Sequence, residues 1–406
     1  PRAGGIVTLP RTNWVLFGDR TLSCSRLQGY AIHDYLRREG QPSRLLSPPP
    51  FPIKDAPWEP PVHELVARLV GGEIVVLDRL KGPRAETLVR ELVRRGTPVV
   101  FAASDWEPTN TLPTFCTAIV CSSRLLAEHW TALGHDAVVI PEPADFWIPP
   151  GAASRPGPGP IRLCWTGHRK NWPTLEPLRE LLRRPDFDDF ELVTVSNHAD
   201  ADVQWTLAAA EAALRSSDVA VVPTRTDEAA RYASPNRAVQ AMASSTPVVA
   251  GRIPAYEDLI VDGVNGYLCD DAEGWRATLV ALRDPALRAT VGARGYETVR
   301  PRFHIDVTGR HWTDRLASLR ITSSPASRPE RVRLRQIVRA SAHARYAQTA
   351  LERDLGLKGI VVDTAAALTL FPLAPAQTAA TARELVPPLA GRVGGGIRRR
   401  LAGRAA

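Results

Sequence analysis

The residues best suited to chemistry are cations that follow apolar runs, and one sharply defined helix start. Trp165-Thr-Gly-His-Arg-Lys-Asn171 comes directly after an apolar stretch. Gly167 there permits a tight turn close to a ligand, and Arg169 and Lys170 put two cations just past it. Fixed cations at such a place suit a diphosphate, because the negative charge on a departing diphosphate grows and is stabilised in the transition state. A second locus runs from Asp218-Val-Ala-Val-Val-Pro223 to Ser234-Pro-Asn-Arg237. Ser234 is a favoured N-cap and Pro235 suits a first helical position, so a helix starts there with Asn236 and Arg237 in its first turn. Its free N–H groups and partial positive charge fit phosphate, although most Ser-Pro pairs are ordinary helix starts. In the first half, Gly18-Asp-Arg-Thr-Leu-Ser-Cys-Ser-Arg26 also follows an apolar run, with Gly18, Ser25 and Arg26 as candidates. Asp105, in Ser104-Asp-Trp-Glu107, suits a base or a hydroxyl-orienting group, and equally an ordinary rim carboxylate.

These loci need a scaffold that aims strand ends into a common cleft. Short β-branched runs at 14–17, 43–46, 73–77, 98–101, 118–121 and 137–140 read as strands, with helices at 29–39, 61–70, 84–95 and 124–133 between them. The runs are almost wholly apolar, as parallel strands covered on both faces require. A Pro/Gly-rich stretch at 149–160 reads as a linker. Beyond it the alternation resumes, with strands at 161–165, 191–195, 219–222, 247–250 and 266–269. Helices fit 174–184, 204–215, 235–244, 272–283 and 285–299. The expected fold class is α/β: two Rossmann-like, doubly wound domains facing across a cleft, at 1–150 and 157–300. Residues 301–320 read as a crossover segment, and 328–406 as a basic, helical or partly disordered extension.

Residues 218–268 resemble the donor-domain motif of retaining glycosyltransferases of the family 4-like, GT-B type. In that family a similar S-P-N-R/K-x-x-E-A-M-A-x-G-x-P-V-V run follows a strand like 218–223, and Arg252-Ile-Pro-Ala-Tyr-Glu-Asp-Leu-Ile-Val-Asp-Gly-Val-Asn-Gly-Tyr-Leu268 looks like its continuation. The number and order of the flanking lobes extend the resemblance to about 11–318. It implies transfer of a sugar from a nucleotide-diphosphate sugar to an acceptor hydroxyl, with retention and without a metal. The first lobe would hold the acceptor and the second the nucleotide sugar. It further implies a diphosphate held by Gly18, Arg26, Gly167, Arg169, Lys170, Ser234, Asn236 and Arg237. Two Glu separated by seven residues are usual in the family, and Tyr232 and Gln240 stand in their places here. Gln240 can still hydrogen-bond a ribose hydroxyl, and Tyr232 takes the position beside the donor sugar. The Gly of the family's A-M-A-x-G-x-P turn is Ser245, at some cost if its φ is positive.

Composition narrows the rest. The chain has 406 residues, 44% of them hydrophobic and 23% charged, as in soluble globular proteins. Its formal charge of +8 is carried by the end: from Arg328 onward 14 Arg/Lys face 5 Asp/Glu, leaving 37 basic and 38 acidic residues in the body. A nucleic-acid-binding body is therefore not expected. The tail fits a peripheral contact with an anionic membrane surface, a docked helix or a solvated end. Five scattered cysteines suit a reducing cytoplasm, at the inner face of the membrane if the tail docks there, and Cys116, Cys121, His129 and His135 read as core, so no metal and no cofactor beyond the nucleotide sugar are expected. The acceptor is left open among saccharides, lipid-linked sugars and small molecules. The rival reading is a non-catalytic GT-B homologue that serves as partner or scaffold for another transferase.

Overall fold

The structure is a computed structural model that describes residues 8–47, 73–81, 83–152 and 159–322. The expected helix at 61–70, residues 153–158 of the linker and the basic extension at 328–406 lie outside the described residues.

The first sheet consists of β1 (Thr12–Val15), β2 (Ser43–Ser47), β3 (Ile74–Asp78), β4 (Val99–Ala103), β5 (Ala118–Cys121) and β6 (Ala137–Val139). Their order in space is β2-β1-β3-β4-β5-β6, and every pair is parallel. β3, β4 and β5 are buried throughout, which is why they read as continuous apolar runs. A π-helical stretch (Ser25–Tyr30) running into α1 (Ala31–Arg38) covers one face. The other face is covered by α2 (Pro83–Arg94) and α3 (Arg124–Ala132). β1 begins two residues before its expected start. Its polar opening is stabilised inside the sheet, where Asn13 donates to Glu73 at 2.7 Å and to the Ile74 carbonyl at 3.2 Å.

The second sheet consists of β7 (Ile161–Gly167), β8 (Phe190–Ser196), β9 (Val203–Gln204), β10 (Val219–Val222), β11 (Val248–Gly251) and β12 (Tyr267–Cys269). It is again wholly parallel, in the order β12-β11-β10-β7-β8-β9. β9 has two exposed residues and no apolar run, so periodicity could not mark it. The helices are α4 (Glu176–Leu182), α5 (Leu207–Arg215), α6 (Glu228–Arg231), α7 (Asn236–Ala243), α8 (Pro254–Glu257), α9 (Ala272–Ala281), α10 (Pro285–Phe303) and α11 (Ile305–Ala317). α5, α7 and α10 pack on one face of this sheet, and α4 and α9 on the other. After α7, Ser245 has φ +52, a left-handed conformation that costs an L-residue about 1–2 kcal/mol. Its Oγ donates to the Ile148 carbonyl at 2.7 Å and offsets part of that cost. α10 passes so close to this turn that a Cβ on Gly292 would lie 2.2 Å from the Ser245 carbonyl oxygen.

The chain crosses between the two sheets twice. Residues 140–148 run along α7, with Ile148 N–H donating to the Ala243 carbonyl at 2.9 Å. After α10, α11 returns to the first sheet, where Trp312 lies 5.4 Å from Trp14 and Gly309 rests against the Tyr35 ring. Strand order reverses between β1 and β3 in the first sheet, and between β7 and β10 in the second. Ligands of open α/β sheets bind beyond the carboxyl ends of strands at such points. Just past β4, Trp106 meets the second lobe, its ring 5.1 Å from that of Tyr232.

Candidate active site

In the second lobe, β7 ends at Gly167. A Cβ there would sit 2.5 Å from the Trp165 ring, so the glycine is explained by that buried indole. A 3₁₀ turn (Arg169–Leu175) follows, held by His168 Nδ1 accepting from the Lys170 N–H at 3.2 Å and by Asn197 accepting from the Arg169 N–H at 2.7 Å. Arg169 and Lys170 are both exposed at its start. Among the described residues the Lys170 ammonium forms no ion pair.

α7 begins one residue later than expected, at Asn236, and Ser234 Oγ accepts from the Asn236 N–H at 3.2 Å. The Arg237 side chain is half-buried, and its Nη1 is fully buried with no hydrogen-bond partner among the described residues. A buried guanidinium nitrogen without an acceptor is costly, and Arg288 Nε and Arg315 Nε share that state.

The Ser234 and Asn236 side chains, expected at a diphosphate, both turn to Glu142. Ser234 donates to its Oε2, and Asn236 Nδ2 lies 3.4 Å from the same atom. Glu142 stands between two prolines on the crossing segment, with no periodicity or motif around it, and was missed by sequence reasoning. Burial raises its pKa from the ordinary 4.5 to about 7; Ser234 opposes the shift, and the charges of Asp105 and Asp78 add to it. A raised carboxyl pKa means that the folded state holds the proton more tightly than the unfolded chain. The stability it brings is complete below about pH 4.5 and is lost as pH rises through about 7, a change of about 3 kcal/mol. Glu142→Gln keeps the acceptor for Ser234 and removes the titration. Melting curves of the two proteins should therefore diverge in favour of the variant between pH 5 and 8. A constant offset across that range would show that Glu142 does not titrate there.

Three expected site residues are placed differently. Arg26 donates bidentately to Asp145, Nε to Oδ1 at 2.7 Å and Nη2 to Oδ2 at 2.9 Å, with 10% and 9% of the two side chains exposed. Its Nη1 donates to the Arg20 and Thr21 carbonyls, and the guanidinium lies 5.1 Å from the Trp205 ring centre. This cation is spent on joining the lobes. Gln240 spends both ends of its amide on the crossing segment: Nε2 donates to the Phe146 carbonyl at 2.9 Å, and Oε1 accepts from the Asp145 N–H at 2.7 Å. These two bonds fix the amide against the crossing segment and leave one N–H and one lone pair of it unused. Tyr232 is a ring in an aromatic cluster, 5.1 Å from Trp106 and 5.6 Å from His129 of the first lobe. Its carbonyl accepts from Ser123 Oγ at 3.0 Å.

The first lobe contributes the ends of β1, β3 and β4. Gly18 donates its N–H to Ser25 Oγ at 2.9 Å, and Ser25 donates to Asp78 Oδ2. Asp78 is fully buried. Burial raises its pKa to about 6, with Ser25 and nearby Arg79 pulling it back. Arg79 has φ +49 and holds Asp105 at 3.0 Å and Glu107 close by, so Asp105 is an ion-paired rim carboxylate. Burial alone would raise the Glu107 pKa, but Arg79 and Lys81 outweigh it and hold it below the usual range.

Residues 162–284 match the family model described as "Glycosyl transferases group 1". No curated protein matches the chain in sequence. Among solved structures, Anabaena HepE in complex with UDP and glucose is 13% identical, with 77% of this chain and 100% of that chain covered at a TM-score of 0.56. A glycosyltransferase from Rickettsia africae is 13% identical over 77% and 99% of the two chains, at 0.58. Sucrose-phosphate synthase from Thermosynechococcus elongatus is 15% identical over 75% and 98%, at 0.55. Two parallel sheets with flanking helices, similar in fold to these glycosyltransferase structures, give this chain the GT-B fold, and residues 162–284 of its second lobe are similar to the group 1 glycosyl transferases.

Proposed function

We propose that the protein transfers a sugar from a nucleotide-diphosphate sugar to an acceptor hydroxyl, with retention and without a metal. The second lobe binds the donor and the first lobe the acceptor. The observation that carries this reading is the unpartnered, buried Nη1 of Arg237 at the start of α7, in the same lobe end as the exposed Lys170. A guanidinium and an ammonium would balance the charge that grows on a leaving diphosphate, which is the task a divalent ion performs elsewhere. The group 1 domain over 162–284 and the UDP bound in HepE support a nucleotide-sugar donor.

The positions of Tyr232 and Gln240 favour a second reading, a donor-binding protein without turnover. Neither residue offers a carboxylate, and the Gln240 amide is held by the crossing segment. Thermal melting against UDP-, GDP-, dTDP- and ADP-sugars, with free nucleotide measured in the same samples, separates the two. A donor at 100 times its dissociation constant should add about 2.7 kcal/mol of stability. Stabilisation with nucleotide release supports the transferase, and stabilisation without release under any acceptor supports the second reading. No stabilisation by any donor overturns both.

A further inference from the structure

Glu142 is an acid buried at the lobe junction without a cation beside it. Other acids of the junction are served: Asp105 and Glu107 hold Arg79, and Asp145 holds Arg26. Among the described residues no Lys, Arg or His forms an ion pair with Glu142, which is 5% exposed. Its hydrogen-bond partners, Ser234 and Asn236, are neutral. The groups that act on it come from both lobes. Asp78 closes β3 and Asp105 follows β4, and both charges oppose its ionisation. Cys24 is buried and stays a thiol. The start of α7 turns Ser234 and Asn236 to it, with Arg237 next in the chain. Pro141 and Pro143 flank it and restrict the backbone that would have to carry it to solvent. The strain of a carboxylate buried in this way is relieved by taking a proton.

This carboxyl stands one hydroxyl away from the helix start. Ser234 Oγ donates to Glu142 and accepts from the Asn236 N–H at 3.2 Å, the first N–H of α7. When Glu142 is ionised, the partial positive charge of that helix end serves it. An anion arriving beside Arg237 competes for the same charge, and two negative groups at one helix start oppose each other. We propose that Glu142 regulates the donor site by proton linkage: it takes up a proton from solvent as a nucleotide-diphosphate sugar binds at the start of α7, so that donor affinity falls as pH rises through neutrality. The proposal rests on the reading that the diphosphate meets Arg237. Glu142 touches no donor atom; it acts through Ser234 and Asn236. Ionised, it weakens the anion site, and protonated, it leaves the helix end to the donor.

The test titrates UDP-glucose, GDP-mannose, dTDP-glucose and ADP-glucose into the full chain by calorimetry, in PIPES and in Tris, whose heats of ionisation differ widely. The diphosphate of such a sugar has no proton to gain near neutrality, so protons taken up go to the protein. If the bound donor raises the proton affinity of Glu142 about tenfold, the wild type should take up about half a proton per donor at pH 7.5. Its affinity should then fall about fivefold to tenfold between pH 6 and pH 8.5. Glu142→Gln should take up none, bind equally at both pH values and match or exceed the wild type at pH 8.5. A merely structural role would instead weaken the variant at both. Asp105→Asn, which removes a charge opposing ionisation, should move the uptake to lower pH. Donor binding without uptake overturns the proposal. So does uptake undiminished in Glu142→Gln, which would assign the proton to Asp78 or to His168 beside Lys170. If none of the four donors binds the wild type, the functional reading falls and the linkage with it.

Discussion

Arg26→Ala should destabilise the protein by about 3–5 kcal/mol, read as a fall in the urea midpoint with the slope unchanged. The variant leaves Asp145 buried without its cation, and removing one partner of such a pair costs far more than the pair contributes when intact. The geometry makes relaxation difficult. The guanidinium bonds Asp145 through two parallel contacts at 2.7 and 2.9 Å, and its third nitrogen caps two carbonyls of the 20–21 turn. Asp145 is fixed from behind by its N–H bond to Gln240. Arg26 therefore ties together the loop after β1, the crossing segment and α7. Removing both charges with Arg26→Ala/Asp145→Ala should recover a large part of the loss, because the stranded carboxylate is then gone. A single-variant loss below 1 kcal/mol would mean that Asp145 finds water or another partner, and that Arg26 is free to meet a ligand after all.

The architecture was legible because parallel strands covered on both faces must be apolar almost without interruption. β3, β4, β5, β10 and β11 meet that condition and stand within a residue or two of their expected places. β9 has no buried face, and β1 opens on Thr12 and Asn13, the second of which is paired by Glu73 some sixty residues away. Local pattern carries no trace of such a partner. The site divides along the same line. Strand-end positions such as Lys170 and Arg237 follow from the order of elements. The fate of a charge at such a position depends on what folds against it. Arg26 and Asp145 are 119 residues apart, and Ser234 and Glu142 are 92 apart. A cation after a strand looks the same in sequence whether it awaits a phosphate or already holds a carboxylate. Glu142 was the hardest to find. It faces the Ser-Pro-Asn turn from a proline-flanked crossing, and only the meeting of the lobes gives it a role.

Arg237→Ala should have the opposite signature to Arg26→Ala: donor binding falls while the fold holds. Arg237 Nη1 is buried without an acceptor, so its removal relieves a cost of about 1–3 kcal/mol in the free protein, and the melting temperature should stay level or rise. Affinity for the nucleotide-diphosphate sugar should drop about tenfold to a hundredfold, the equivalent of a charge-assisted hydrogen bond of about 1.5–3 kcal/mol. Arg237→Lys should rescue little, because an ammonium cannot put a second nitrogen where the buried Nη1 lies. Lys170→Ala should weaken donor binding as well, with a difference from wild type that shrinks in salt because the ammonium is exposed. An anion that met Arg237 in a water-poor recess and Lys170 at an open rim would show exactly this split, one contribution insensitive to salt and the other sensitive. Unchanged donor affinity in Arg237→Ala, within a factor of two, would remove the diphosphate from the start of α7. The anion site would then have to be sought around the 169–175 turn alone, where two exposed cations in water bind far more weakly than one buried guanidinium can.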